Sequence, residues 1–157
     1  MITLKYDGTF EGLLCSVFYA FGRRQDEFHI QRNNQTQSSL FGQEIGISTE
    51  TEKATRVLNG LKKTAGNNGI PLLYRSFLSE QPKIEDNILH AVKSIYDKGA
   101  RSIKDHTDPQ ILRLYQTVKM VNREKHRMEA FVRFRLTKDD VYFSSIEPDF
   151  DVLPLIK

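Results

Sequence analysis

The chain has one cysteine, Cys15, and no tryptophan in its 157 residues. A lone cysteine excludes an intrachain disulfide and removes the argument for a secreted, disulfide-built domain. It also excludes a cysteine set for an iron–sulfur cluster, since no CxxC or CxxxCxxC spacing exists. No window approaches the ~18 consecutive apolar residues of a membrane span. The N-terminus, Met1-Ile2-Thr3-Leu4-Lys5-Tyr6-Asp7, lacks the basic and long apolar regions of a signal peptide. These absences set the expectation of a cytoplasmic protein with no membrane partner. His29, His90 and His106 are scattered without metal-ligand spacing. No metal and no other cofactor is expected.

What is present is ordinary for a globular chain, with 39% hydrophobic and 27% charged residues. The length favours a single domain over 1–157 that is large enough to bury a core. A formal net charge of +3 and a pI near 9.0 are mildly basic, so the location of positive charge matters more than its total.

Ile2, Leu4 and Tyr6 alternate with polar neighbours and predict an opening strand. Asp7-Gly8 marks a turn and Thr9 an N-cap. Phe10, Leu13, Leu14, Val17, Phe18 and Phe21 then recur at helical spacing up to Gly22. Phe28-His29-Ile30 reads as a short extended piece, Gln31 to Ser39 as a polar loop, and Leu40 to Ile47 as a strand weakened by two glycines. Thr49-Glu50-Thr51-Glu52 fits a capping box for a second helix carrying Ala54, Val57, Leu58 and Leu61. A short third helix around Pro71 runs to about Leu78, and a fourth carries Ile84, Ile88, Ala91, Val92 and Ile95. Asp108-Pro109 opens a fifth, with Ile111, Leu114, Tyr115, Val118 and Val121 on its core face and Met128 extending it.

The period then becomes two. Ala130, Val132, Phe134 and Leu136 point one way and Phe131, Arg133 and Arg135 the other. Thr137-Lys138-Asp139-Asp140 reads as a connection to a returning strand, Val141 to Ile146. The expected fold is α+β, a small, mainly antiparallel sheet packed with about five helices. The sheet is expected to contain the N-terminal strand and the C-terminal hairpin, with the Leu40–Ile47 segment as an optional further strand.

The junction of the fifth helix and the following strand concentrates the ionisable groups. Lys119, Arg123, His126 and Arg127 fall on one arc, followed by Arg133 and Arg135 with Phe131 beside them. One reading is a basic surface that contacts phosphates, with Phe131 offering its ring to a base. The other is a solvated face, with the arginines paired to Glu124, Glu129 or the later acidic group Glu147, Asp149 and Asp151. That late group could alternatively bind a metal. His126 lies near Glu124 and Glu129, which makes the three candidates for general acid–base work, against a hydrogen-bonded structural histidine as the plainer alternative. Asp7 and Glu11 flank a glycine-containing strand-to-helix loop. A helix N-terminus there could hold a phosphate, but two carboxylates would repel it and no GxGxxG or Walker pattern is present. Cys15 reads as packing filler.

Four segments together resemble one known family. They are Tyr6-Asp7-Gly8-Thr9-Phe10-Glu11-Gly12-Leu13-Leu14, Ser39-Leu40-Phe41-Gly42, Glu124-x-His126-Arg127-Met128-x-x-Phe131-Val132-Arg133-Phe134, and Pro148-x-x-Asp151-Val152-Leu153-Pro154-Leu155. The family is a bacterial domain of unknown function labelled as a DNA metabolism protein. The resemblance implies an accessory role in DNA repair or modification. Such members are encoded beside a radical SAM protein, and in some bacteria a similar domain is joined to a uracil-DNA glycosylase-like domain. It supplies no catalytic residues. It also implies a C-terminal continuation beyond Leu153-Pro154-Leu155, so this chain reads as a shortened form. Three functions follow as expectations: a nucleic-acid-binding accessory protein, a nucleic-acid-processing enzyme using His126, or a protein adaptor without DNA contact.

Overall fold

The computed structural model describes residues 2–23, 27–34 and 42–156. Strand β1 (Ile2–Tyr6) leads through a turn into helix α1 (Phe10–Gly22), and the chain returns as strand β2 (Phe28–Arg32) parallel to β1. Strand β3 (Gln43–Gly46) pairs in parallel with the other edge of β1, giving the order β2-β1-β3. Leu4 at the centre lies opposite Ile30 on one side and Ile45 on the other.

The main sheet is therefore parallel, not mainly antiparallel as expected. A strand whose successor is reached through a 13-residue helix re-enters the sheet from the same end, and that connection makes a parallel pair. The C-terminal hairpin is a separate two-stranded piece, β4 (Arg135–Leu136) with β5 (Tyr142–Phe143), and it does not join β1. The α+β description holds, and five α-helices form among the described residues, where about five were expected. Strand β2 also takes in Gln31 and Arg32, expected in the polar loop, because pairing with β1 continues to Tyr6. Of the expected Leu40–Ile47 strand, Leu40 and Phe41 lie outside the described residues. So do Ser39-Leu40-Phe41 of the second family-like segment and residues 35–39 of the expected polar loop.

Helices α2 (Thr51–Thr64), α3 (Gly69–Phe77), α4 (Ile84–Lys98) and α5 (Pro109–Phe131) follow. Asp108 caps α5 by accepting from the Gln110 N–H at 2.9 Å and the Ile111 N–H at 3.3 Å. The capping box expected at Thr49 is not formed. Glu50 occupies the cap of α2 without a side-chain bond, and the Thr49 hydroxyl donates instead to Asp7 Oδ2 at 2.7 Å. Helix α5 also runs further than the change of period suggested. Met128 is buried and its carbonyl accepts from the Val132 N–H at 2.8 Å, so Ala130 and Phe131 are helical rather than the start of a strand.

One core gathers Leu4 and Tyr6 of β1, Leu13 and Val17 of α1, Leu61 of α2, Leu73 of α3, Ile88 and Ile95 of α4, and Ile111 and Leu114 of α5. A second, smaller cluster forms where Val152 from the C-terminal arm inserts against Val121 and Met128 of α5. That arm is also stitched by the backbone: the Asp151 N–H donates to the Leu78 carbonyl and the Asp149 N–H to Glu124 Oε1, both at 3.0 Å. Among the described residues no helix is long and apolar enough to cross a membrane.

Candidate nucleic-acid interface

The end of α5 and the hairpin enclose a cleft of about 370 Å³ lined by Phe131, Arg133, Arg135, Phe143, Ser144 and Ser145. Helix α5 delivers Phe131 in its last turn, and the cap at Val132 turns the chain into the extended run that carries both arginines. Antiparallel register then places Phe143 directly opposite Arg135, so both project from the same face of the hairpin. The neighbouring pair, Leu136 opposite Tyr142, occupies the other face. The turn that closes the hairpin is set by Asp140 at φ 56° and by the Thr137 hydroxyl, which accepts from the Val141 N–H at 3.2 Å.

Phe131 is 69% exposed and Phe143 56%, unusual values for two phenyl rings lining one cleft. Arg133 and Arg135 are also exposed, make no ion pair among the described residues, and share the cleft lining with no carboxylate. Of the residues named from sequence, the structure brings Phe131, Arg133 and Arg135 into one site. Phe143, Ser144 and Ser145 were missed. The returning strand expected over Val141–Ile146 covered all three, but the strand formed holds only Phe143 of them, and only the hairpin register assigned Phe143 to the arginine face.

The other basic residues differ in their availability. Lys119 and Arg123 are exposed on α5 without an ion pair among the described residues. Arg127 is committed within the chain: its Nη2 donates to Glu124 Oε1 at 2.7 Å and to Asp149 Oδ2 at 3.0 Å. The Arg127 hydrogen bond, with the Asp149 N–H, holds the Glu124 carboxyl below its ordinary range. Glu124, one of the acid–base candidates, is thus a buried anchor for the C-terminal arm.

His126 projects into solvent with 78% of its side chain exposed, and its Nδ1 stands 3.6 Å from Glu129 Oε2, beyond hydrogen-bond length. Glu129 accepts from Lys125 Nζ at 2.6 Å, a contact that lowers its pKa. The other histidines have partners of their own. His29 Nδ1 lies 2.5 Å from Asp86, His90 Nε2 lies 2.7 Å from Asp108, and His106 rests on the Tyr115 ring. No group of three or more His, Cys, Asp or Glu is positioned to hold a metal among the described residues, and Glu147, Asp149 and Asp151 form no such group.

The Asp7 loop is a structural joint. Gly8, at φ 86°, takes a left-handed turn that a side chain would strain. The Asp7 carboxylate accepts from the Thr9 N–H at 2.9 Å, from the Thr9 hydroxyl at 2.7 Å and from Thr49. Partial burial works to raise the Asp7 pKa, but these hydrogen bonds outweigh it and hold it below the ordinary value. Glu11 is exposed on the first turn of α1. Cys15 is buried; its thiol donates to the Glu50 carbonyl and accepts from the Glu50 N–H, both at 3.3 Å. A cavity of about 400 Å³ opens beside it, but both of its cations are engaged: Lys53 with Glu50 at 2.6 Å, and Arg23 over the Tyr19 ring.

A buried ionic joint at the ends of β1 and β2 is not visible in the sequence, because its members lie far apart in the chain. Arg32 Nε donates to Glu85 Oε1 at 3.1 Å, and the Tyr6 hydroxyl donates to the same oxygen at 3.0 Å. A second guanidinium nitrogen pairs with Glu80, and the ring of Phe77 lies under the guanidinium. Burial pushes the Tyr6 pKa upward, keeping the phenol protonated as a donor. Every charged group here has a partner, so the joint ties β2 to the α3–α4 turn.

Fold and surface thus define an α+β protein with a parallel βαβ core and an aromatic–arginine cleft on a projecting hairpin. Residues 82–157, which run from just before α4 through the hairpin and the C-terminal arm, match the family model of a domain of unknown function, DUF4130. The cleft lies wholly within that matched segment. No curated protein and no solved structure matches the chain.

Proposed function

We propose that this protein is an accessory component of DNA repair or modification that binds nucleic acid through the end of α5 and the hairpin. The observation that carries the reading is the cleft. Two guanidiniums without an ion pair among the described residues share one concavity with two exposed phenyl rings, and no carboxylate lines it. Guanidiniums supply phosphate contacts and phenyl rings supply stacking platforms, the pairing that nucleic-acid surfaces use. The DNA-related context and a radical SAM enzyme as working partner rest on the family-like motifs in the sequence. The acid–base enzyme reading has less behind it, because His126 stands beyond bonding distance of Glu129 and Glu124 is engaged elsewhere.

The test is binding of labelled DNA across a salt series by the wild type and an Arg133→Ala, Arg135→Ala variant. Each phosphate contact removed lowers the salt slope by about one. The double variant is therefore expected to bind more weakly, with a slope shallower by about two. A second reading has its own observation: Leu136 and Tyr142 expose apolar surface on the opposite face of the hairpin, with Phe134 exposed beside it. If the wild type binds no nucleic acid at low salt, the adaptor reading replaces the first, with docking through that apolar face.

A further inference from the structure

We infer that the cleft takes single-stranded rather than duplex nucleic acid, with an unstacked base held against Phe131 and Phe143 and its flanking phosphates on Arg133 and Arg135. This rests on the nucleic-acid reading above and specifies its substrate.

The lining limits what can be recognised. A phenyl ring has no hydrogen-bonding group, so neither Phe131 nor Phe143 can read the base edges a duplex presents in its grooves. A ring interacts with the face of a base, and base faces are covered by their neighbours in a stacked duplex. They become available in single strands, loops and ends. Two phenyl rings that each leave more than half their surface in water gain free energy when a flat apolar partner covers them. Beside them the lining supplies two guanidiniums and the Ser144 and Ser145 residues. The guanidiniums suit phosphate oxygens and can also stack on a base. With both guanidiniums on phosphates, the edge of the base is left to the Ser144 and Ser145 hydroxyls, which rotate and match no one base. The expected specificity is therefore for an unpaired strand, with little dependence on its sequence.

Shape agrees with this. The cleft volume of about 370 Å³ falls at the small end of the range for ligand pockets, the scale of a nucleotide rather than of a duplex lying across a surface. The hairpin register also separates this function from the opposite face. Arg135 and Phe143 share the cleft side, while Leu136 and Tyr142 point away from it. Substitutions on the two faces are consequently independent probes. Phe131, Phe143, Leu136 and Tyr142 are all exposed, so changing any of them removes no core contact.

The experiment is a titration of the full chain with an oligonucleotide carrying 2-aminopurine. It is run as a single strand of DNA, a single strand of RNA and the corresponding DNA duplex, at one salt concentration. Anisotropy reads binding, and 2-aminopurine fluorescence reads stacking of that base. The expected result is binding of a single strand, DNA or RNA, at least tenfold tighter than duplex, with a fluorescence change on binding. Phe131→Ala and Phe143→Ala should each weaken single-strand binding about tenfold and remove the fluorescence change, while leaving duplex binding unmoved. A Leu136→Ser, Tyr142→Ser variant should behave as wild type. Equal binding of single strand and duplex, or indifference to both phenylalanine changes, overturns the inference while nucleic-acid binding itself stands. Loss of binding in the Leu136→Ser, Tyr142→Ser variant would move the contact to the wrong face and overturn it too. Binding of none of the three oligonucleotides overturns both this inference and the reading beneath it.

Discussion

Glu80 and Lys83 bracket the turn between α3 and α4 with left-handed backbones, at φ 52° and 64°. Such a conformation costs a non-glycine residue about 1–3 kcal/mol. The contacts of the Glu80 carboxylate with Arg32 help to offset it. The same carboxylate has an effect on the arm. Partial burial, and then the negative charge of Glu80, raise the pKa of Asp151, with Arg32 opposing them. A carboxyl whose folded pKa lies above its unfolded value binds more protons in the folded state. Its contribution to stability is present below the unfolded pKa and is lost as pH rises through the folded pKa. Asp151→Asn removes that loss. The expected outcome is a gain in stability at pH 7, within about 1 kcal/mol because the group is largely solvated, and no gain well below the carboxylate range. Thermal melts of both proteins between acid and neutral pH check it.

Between elements, the approach of α1 to the loop before α2 depends on Gly12. A Cβ there would stand 2.2 Å from Asp7 Oδ1 and 2.9 Å from Thr49 Oγ1, so the carboxylate that holds both threonines would have to leave its place. Gly12→Ala, despite its better helix propensity, is therefore expected to destabilise the fold by about 1–3 kcal/mol. Denaturant unfolding measures the change; a stabilised variant would show that the joint relaxes freely. At the α5–hairpin junction the exposed basic side chains are placed by ion-pair partners rather than by packing. That is why the basic residues of this stretch separate in the structure. Arg127 pairs with Glu124 and Asp149, while Arg133 and Arg135 face the cleft. Their spacing in the chain alone could not distinguish the two fates.

Across the protein as a whole, the buried joint of Tyr6, Arg32 and Glu85 connects the parallel sheet to the helical half. Arg32→Ala would leave the Glu85 carboxylate buried with the Tyr6 hydroxyl as the side-chain donor that remains, and such uncompensated burial costs about 3–5 kcal/mol. Tyr6→Phe removes one hydrogen bond and leaves the ion pair intact, at a cost nearer to about 1–2 kcal/mol. Comparing their unfolding midpoints checks this order; equal losses would mean that the ion pair contributes no more than the phenol. The helices were legible in the chain before any packing was known, because apolar residues at i, i+3 and i+4 leave few alternatives for the segments led by Phe10, Ile84 and Ile111. The turns at Asp7-Gly8 and Asp108-Pro109 were legible for a similar reason: side-chain chemistry within a few residues decides the backbone there. Strand direction was not. Two strands of five residues and one of four carry no local mark of their partner's direction, and the helix between the first two sets it. Nor could the chain show which arginines face the cleft, because the pairing of Arg127 with Asp149 spans 22 residues and exists only after the C-terminal arm docks on α5.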